Sequence, residues 1–176
     1  KNLHSPSENL IVVEDGNSNR VNEAFRVLRT QMEFIYPKQS DALVGMITSI
    51  NSGAGKSFVT INLAKSLALK GFKVLVIDLD LRKTSLSNMV SSPKEGVSNF
   101  LKGEVSDPYS LIVKGKLHPN LDLLPVGEIP FNPSELLKIP ALKTLIEALK
   151  SEYEYILIDT PTIDSYTDVD LIAKVV

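Results

Sequence analysis

A chain of 176 residues, 43% hydrophobic and 23% charged, carries enough apolar sequence for one globular domain with a full core. The formal net charge of −2, with Lys and Arg scattered along the chain, argues against a nucleic-acid partner. No cysteine is present, which excludes disulfides and thiolate metal sites and fits a reducing cytoplasm. No stretch approaches the roughly 20 apolar residues of a membrane span, and no signal-peptide pattern opens the chain.

Residues 1–19 are polar, with Ser5-Pro6-Ser7 and Asp15-Gly16-Asn17, and read as a linker or docking arm. Within them only Leu10 to Val13 suits an edge strand. His4 lies here and His118 far along the chain, both in contexts that suit solvated side chains rather than ligands. A single domain is expected over residues 20–176. Its first helix runs from about Asn22 to Tyr36 and stops at Pro37, with Phe25, Leu28, Met32 and Ile35 at helical spacing as the buried stripe. Glu23, Arg26 and Arg29 stand three apart on an adjacent face, where Glu23 can pair with Arg26. Such a run is ordinarily a solvated face. Two arginines beside an apolar stripe also suit a subunit contact.

Leu43 to Ile47 reads as a buried strand and Phe58 to Lys70 as a helix stopped by Gly71. Between them lies Thr48-Ser49-Ile50-Asn51-Ser52-Gly53-Ala54-Gly55-Lys56-Ser57, and strand, glycine loop and helix in that order make a phosphate-binding P-loop. Gly53 and Gly55 admit backbone conformations closed to other residues, and the N–H groups from Gly53 through Ala54 to Phe58 can converge on phosphate oxygens. Lys56 can reach the terminal phosphates, and the Ser57 hydroxyl can ligate Mg²⁺. The GxxxxGK[ST] pattern asks for glycine where Ile50 stands, but its phosphate-facing end is intact. A plain glycine turn with a surface lysine is the bland alternative. A dinucleotide fingerprint fails because its third glycine position is Phe58 and Lys56-Ser57 would have no role.

The unbroken Val74-Leu75-Val76-Ile77 run within Lys73 to Ile77 suits a parallel strand buried on both faces. It ends in Asp78-Leu79-Asp80-Leu81-Arg82, at the end of the strand where doubly wound sheets bind ligands. Asp78 suits a metal site there. Asp80 can ligate metal or accept a proton from an attacking hydroxyl, with Arg82 beside the phosphates. A polar loop whose aspartates cap the next element is the alternative. Residues 83–120 are less regular, with short helices expected at Val97 to Lys102 and Pro108 to Val113. A strand follows at Leu121 to Leu124, then a proline-rich turn, a helix with Ser134 as N-cap, and another over Ala141 to Lys150. Tyr155-Ile156-Leu157-Ile158 is a third buried strand ending in Asp159, which in that setting holds Mg²⁺ through water and accepts from Ser57. A terminal helix from Asp170 to Val176 points towards a further strand, and with Lys as the first residue the sequence reads as a piece of a larger nucleotide-binding domain.

Gly53-Ala54-Gly55-Lys56-Ser57, Asp78-x-Asp80-x-Arg82 and Ile156-Leu157-Ile158-Asp159-Thr160-Pro161 together resemble the Walker A, A′ and B motifs of the bacterial tyrosine kinases (BY-kinases). Glu23-x-x-Arg26-x-x-Arg29 resembles that family's oligomerisation helix, and Phe131-Asn132-Pro133-Ser134-Glu135-Leu136-Leu137 its PNPxELL segment. The resemblance covers roughly Arg20 to Val176. It implies an α/β P-loop fold with a mostly parallel sheet, and ATP- and Mg²⁺-dependent tyrosine phosphorylation controlling capsular or exopolysaccharide synthesis and export. By position, Lys56 and Ser57 bind phosphate and metal, Asp78 and Asp80 serve Mg²⁺ and the tyrosine hydroxyl, and Asp159 completes the metal site. Glu23, Arg26 and Arg29 hold a ring of subunits. A membrane activator, fused or separate, is the implied partner, with the domain at the cytoplasmic face of the membrane and tyrosine-containing proteins as substrates.

The sequence departs from the family's pattern in three places. Tyrosines 36, 109, 153, 155 and 166 form no terminal cluster, Thr162 stands where proline is expected, and Phe131 replaces the first proline of PNPxELL. The nearest rival is a ParA/MinD-like ATPase, whose signature lysine falls at Asn51 here and which gives Arg82 and the Glu23 helix no role. A non-catalytic, ATP-gated oligomeric scaffold is a rival of another class, which the pair Asp78 and Asp80 argues against.

Overall fold

The computed structural model describes residues 10–36, 41–137, 139–163 and 166–176, so the readings placed on His4, Ser5 to Ser7 and Pro37 lie outside the described residues. The elements run α1 (Arg20–Ile35), β1 (Leu43–Ile47), α2 (Lys56–Leu69), β2 (Val74–Asp78), α3 (Val97–Lys102), β3 (Val113–His118), β4 (Leu121–Leu124), α4 (Pro133–Leu136), α5 (Ile139–Lys150), β5 (Tyr155–Asp159) and α6 (Tyr166–Ala173). The strands form one sheet in the order β1-β5-β2-β4-β3, parallel except for β3 against β4. Helices cover both faces, as a parallel sheet requires.

Successive residues of β2 alternate between two cores. Val74 and Val76 face the layer of α1 and α2, with Phe25, Ile61, Ala64 and Leu67, while Leu75 and Ile77 face α5 and α6, with Leu142, Ile146, Leu149 and Ile172. All five residues of β2 are buried. Each such aliphatic side chain contributes about 1.5–3 kcal/mol on removal from water, which fixes the strand's register and hence where Asp78 emerges.

Four expectations need correction. Leu43–Ile47 lies at the outside of the sheet and is only half-buried, because β5 inserts between it and β2. Leu10 to Val13 forms no strand. Its backbone is held by a side chain instead, with Val12 and Val13 N–H donating to Asn62 Oδ1 at 2.8 and 3.1 Å, and Val13 enters the core. On α1, Leu28 and Ile35 face solvent, and the inward face is Asn22, Phe25, Arg29 and Met32. Two polar residues on that face find partners, which apolar periodicity cannot anticipate. Asn132, not Ser134, precedes the first turn of α4, with Pro133 at the first helical position.

The helix at Val97–Lys102 and the strand at Leu121–Leu124 occur at the expected residues, and Pro108–Leu111 is a single 3₁₀ turn. The start of α3 is clamped to the loop after β4, with Val97 N–H donating to Pro125 O at 2.8 Å and Ser98 N–H to Val126 O at 3.0 Å. A Cβ on Gly96 would lie 2.3–2.5 Å from the backbone of Pro125, Val126 and Gly127. Gly96→Ala is therefore expected to destabilise the fold by about 3 kcal/mol, measured by urea unfolding, since backbone rather than a side chain must move. A cost below about 0.5 kcal/mol would show that the clamp yields.

Candidate active site

β1 ends at Ile47, and the chain turns through residues 48–55 into α2. Gly53 and Gly55 have φ of +77° and +87°, with open space where a Cβ would stand, so glycine is needed there for conformation rather than room. The ladder of α2 begins with Val59 N–H donating to Gly55 O at 2.9 Å. The N–H groups of Lys56, Ser57 and Phe58 therefore precede it, at the positive end of the helix, where phosphate oxygens are the natural acceptors. The loop is braced from β5's side: Ile163 N–H donates to Ser49 O at 2.9 Å, and the Thr48 hydroxyl to Pro161 O at 3.1 Å. Lys56 is buried, with Nζ among the charges that act on Asp159.

Register brings the acids together. Asp159 lies opposite Ile47 on one side and Asp78 on the other, so two carboxylates flank the root of the P-loop. The Ser57 hydroxyl donates to Asp159 Oδ2 at 2.6 Å, and the Thr60 hydroxyl lies 3.3 Å from Asp159 Oδ1 and 2.9 Å from Lys56 O. Asp78 Oδ2 accepts from the Ser87 N–H and hydroxyl at 2.9 and 2.7 Å, while Oδ1 is buried without a partner. Asp80 Oδ1 accepts from the N–H groups of Arg82 and Lys83 at 3.3 and 3.2 Å, closing the turn after β2.

Burial pushes the Asp78 carboxyl up to about 7, offset in part by the Ser87 hydroxyl and reinforced by the charges of Asp159 and Asp80. Burial likewise pushes Asp159 up to about 6, against the pull of Ser57's hydrogen bond. A bare Asp78 oxygen beside a second buried carboxylate and a serine hydroxyl is a donor set that fits a hard divalent cation. Among the described residues no three His, Asp or Glu side chains could hold an ion by themselves. Mg²⁺ keeps several waters and takes further oxygens from phosphate, so it asks few ligands of the protein.

Other expected site residues lie elsewhere. Arg82 Nη2 donates to Asp168 Oδ2 at 2.8 Å and Ser134 Oγ at 2.9 Å, so it ties β2's end to α6 and α4. The Phe58 ring packs against Phe25, with centroids 5.9 Å apart, and only its backbone faces the loop. On α1, Arg26 pairs with Glu23 at 2.9 Å, both exposed, but Arg29 turns inward to Ser66 O at 2.8 Å, its side chain only 15% exposed. Ser87, Thr60 and Lys83 were not singled out by the sequence. Ser87 and Thr60 contact the acids from 9 and 99 residues away, and no local pattern encodes such contacts.

A P-loop strand, Ser57 on Asp159 and two further acids at the neighbouring strand's end define a P-loop nucleotide-binding domain. A model of the AAA domain family matches residues 44–174. The chain is 36% identical over 157 residues to the tyrosine-protein kinase CpsD of Streptococcus agalactiae, covering 88% of this chain and 66% of CpsD. It is 37% identical over 155 residues to the tyrosine-protein kinase wzc of Salmonella typhi, covering 86% of this chain. It spans only about a fifth of the length of wzc and of other long relatives. The kinase domain of the Escherichia coli tyrosine kinase ETK superposes with a TM-score of 0.83 at 31% identity, over 92% of this chain and 63% of that one. MinD of Pyrococcus horikoshii, solved with Mg-ADP, aligns with a TM-score of 0.62 at 25% identity, over 75% of this chain and 54% of that one. The chain belongs to the AAA domain family and, within it, to the bacterial tyrosine kinases.

The raised carboxyls set a pH dependence for the nucleotide-free protein. Between about pH 4 and pH 7 the unfolded chain ionises Asp78 while the fold keeps it protonated, so stability falls as pH rises through that window. Asp78→Asn should flatten this slope. By urea unfolding without Mg²⁺ it is expected to be more stable than the parent at pH 8, with the difference shrinking by pH 5. A pH-independent difference would contradict the burial argument.

Proposed function

We propose that this domain transfers the γ-phosphoryl group of ATP to protein tyrosine. The observation that carries the reading is the Ser57–Asp159 hydrogen bond beside Asp78 and Asp80, in a chain of this family. In the transfer, the bond from the γ-phosphorus to the β–γ bridging oxygen breaks as ADP leaves. A bond forms to the phenolic oxygen, whose proton passes to Asp80. The amides from Gly53 through Ala54 and Gly55 to Phe58 cradle the phosphates, and Lys56 neutralises their charge. Ser57, Asp78 and Asp159, with Asp80 at its edge, would hold Mg²⁺, which supplies charge neutralisation when bound. Arg82 keeps α4 and α6 against the active turn rather than touching nucleotide.

Control of capsular or exopolysaccharide synthesis follows from the same family reading. So do a ring of copies joined through α1 at Glu23 and Arg26, with Arg29 anchoring that helix, and a membrane activator, fused or separate, that keeps the domain at the cytoplasmic face of the membrane. The outward face of α1, with Val27, Leu28, Phe34 and Ile35 exposed, supports a protein contact there. No helix among the described residues is long and apolar enough to cross a membrane.

The test is phosphate transfer from labelled ATP by the full-length protein with its activator, with identification of the phosphorylated residue. Phosphotyrosine is expected, reduced about 100-fold or more by Lys56→Met and by Asp80→Asn. ATP hydrolysis with no phosphotyrosine, on the protein or on a tyrosine-rich peptide, would overturn the kinase reading in favour of a MinD-like ATPase.

A further inference from the structure

We propose that Lys83 is a second phosphate-facing cation of this site, supplied to the P-loop by the turn after β2. The inference rests on the nucleotide site described above and deepens the transfer reading by adding a residue that meets the migrating phosphoryl group. Its ammonium donates to the hydroxyl of Ser52, the residue that precedes Gly53 in the loop. Its aim is set by backbone. Asp80 Oδ1 takes the N–H groups of both Arg82 and Lys83, and Asp80 O takes those of Lys83 and Thr84 at 3.2 Å each. Of the two cations on this turn, Arg82 is committed to Asp168 and Ser134, which leaves Lys83 on the loop's side.

The loop lacks such a charge of its own. Position 51, where ParA/MinD-like ATPases carry a second lysine, is Asn51, and Lys83 arrives at the very next residue. The resting contact is a weak one for an ammonium, because it joins a full charge to a neutral hydroxyl. A phosphate oxygen adds a full opposite charge to the same hydrogen bond, an attraction the hydroxyl cannot supply. The flexible four-carbon stem allows the ammonium to move from Ser52 to the terminal phosphate without moving the turn. Lys83 is exposed, so its side chain has room to swing. Lys56 would then hold charge from the helix start and Lys83 from the opposite lip. Asp80, the proton acceptor, and Lys83 share one turn.

The experiment measures binding of Mg-ADP and of Mg-ADP with aluminium fluoride, a mimic of the migrating phosphoryl group, to the full-length protein. Parent, Lys83→Met, Lys83→Arg and Ser52→Ala are compared. Lys83→Met should weaken the aluminium fluoride complex at least about tenfold while changing ADP affinity less than about twofold, and Lys83→Arg should recover part of the loss. Ser52→Ala, which removes only the resting partner, should keep the mimic's affinity. Equal weakening of both ligands, no weakening of either, or a loss in Ser52→Ala matching that in Lys83→Met would overturn the proposal. A protein that distinguishes the mimic through Lys83 yet forms no phosphotyrosine would keep this inference and lose the kinase reading alone.

Discussion

The site depends on one contact between residues 102 apart, the Ser57 hydroxyl on the Asp159 carboxylate. Ser57 lies in the first turn of α2 and Asp159 ends β5, so the bond closes only if the sheet holds β5 between β1 and β2. That order in turn rests on the burial of two alternating faces of β2 and β5, which a one-residue slip would exchange. Folding energy is thereby converted into the position of three acids. Burial and mutual repulsion make the Asp78 and Asp159 charges costly, which a bound cation would relieve.

The support around those acids is layered. Ser87 donates its hydroxyl to Asp78 and accepts the N–H of Val126 at 2.8 Å, so Asp78 is braced by the loop after β4. That loop is held against α3 at Gly96, where no side chain fits. On the other side Arg82 links β2's end to Ser134 of α4 and Asp168 of α6. A change at Gly96 or Arg82 therefore reaches the chemistry through geometry rather than contact.

Much of this was legible in the sequence because it is local. The P-loop, the two strand-end aspartates and Asp159 each announce themselves by an apolar run ending in a polar residue, and the fold obeys that signal. The edge strand β3 was not read, because Val-Lys-Gly-Lys-Leu-His puts glycine at the centre of its apolar face and pairs with β4 through an irregular register. Half of the stripe on α1, Leu28 and Ile35, was misplaced because Asn22 and Arg29 share the inward face with Phe25 and Met32, bonded to partners on other segments. Arg82 was placed beside the phosphates and Lys83 was passed over, although they are neighbours. Which of two adjacent cations turns to the loop is decided by Asp168 and Ser134, more than 50 residues away.

The most direct measurement is a crystal structure of the full-length protein with Mn²⁺ and ADP, recorded at the manganese absorption edge. A single anomalous peak beside the Ser57 hydroxyl, facing Asp159 and the bare oxygen of Asp78, is the result this account predicts. A peak away from those three residues, with ADP still seated in the loop, would contradict the claim that the fold assembles these acids to hold metal and phosphate together.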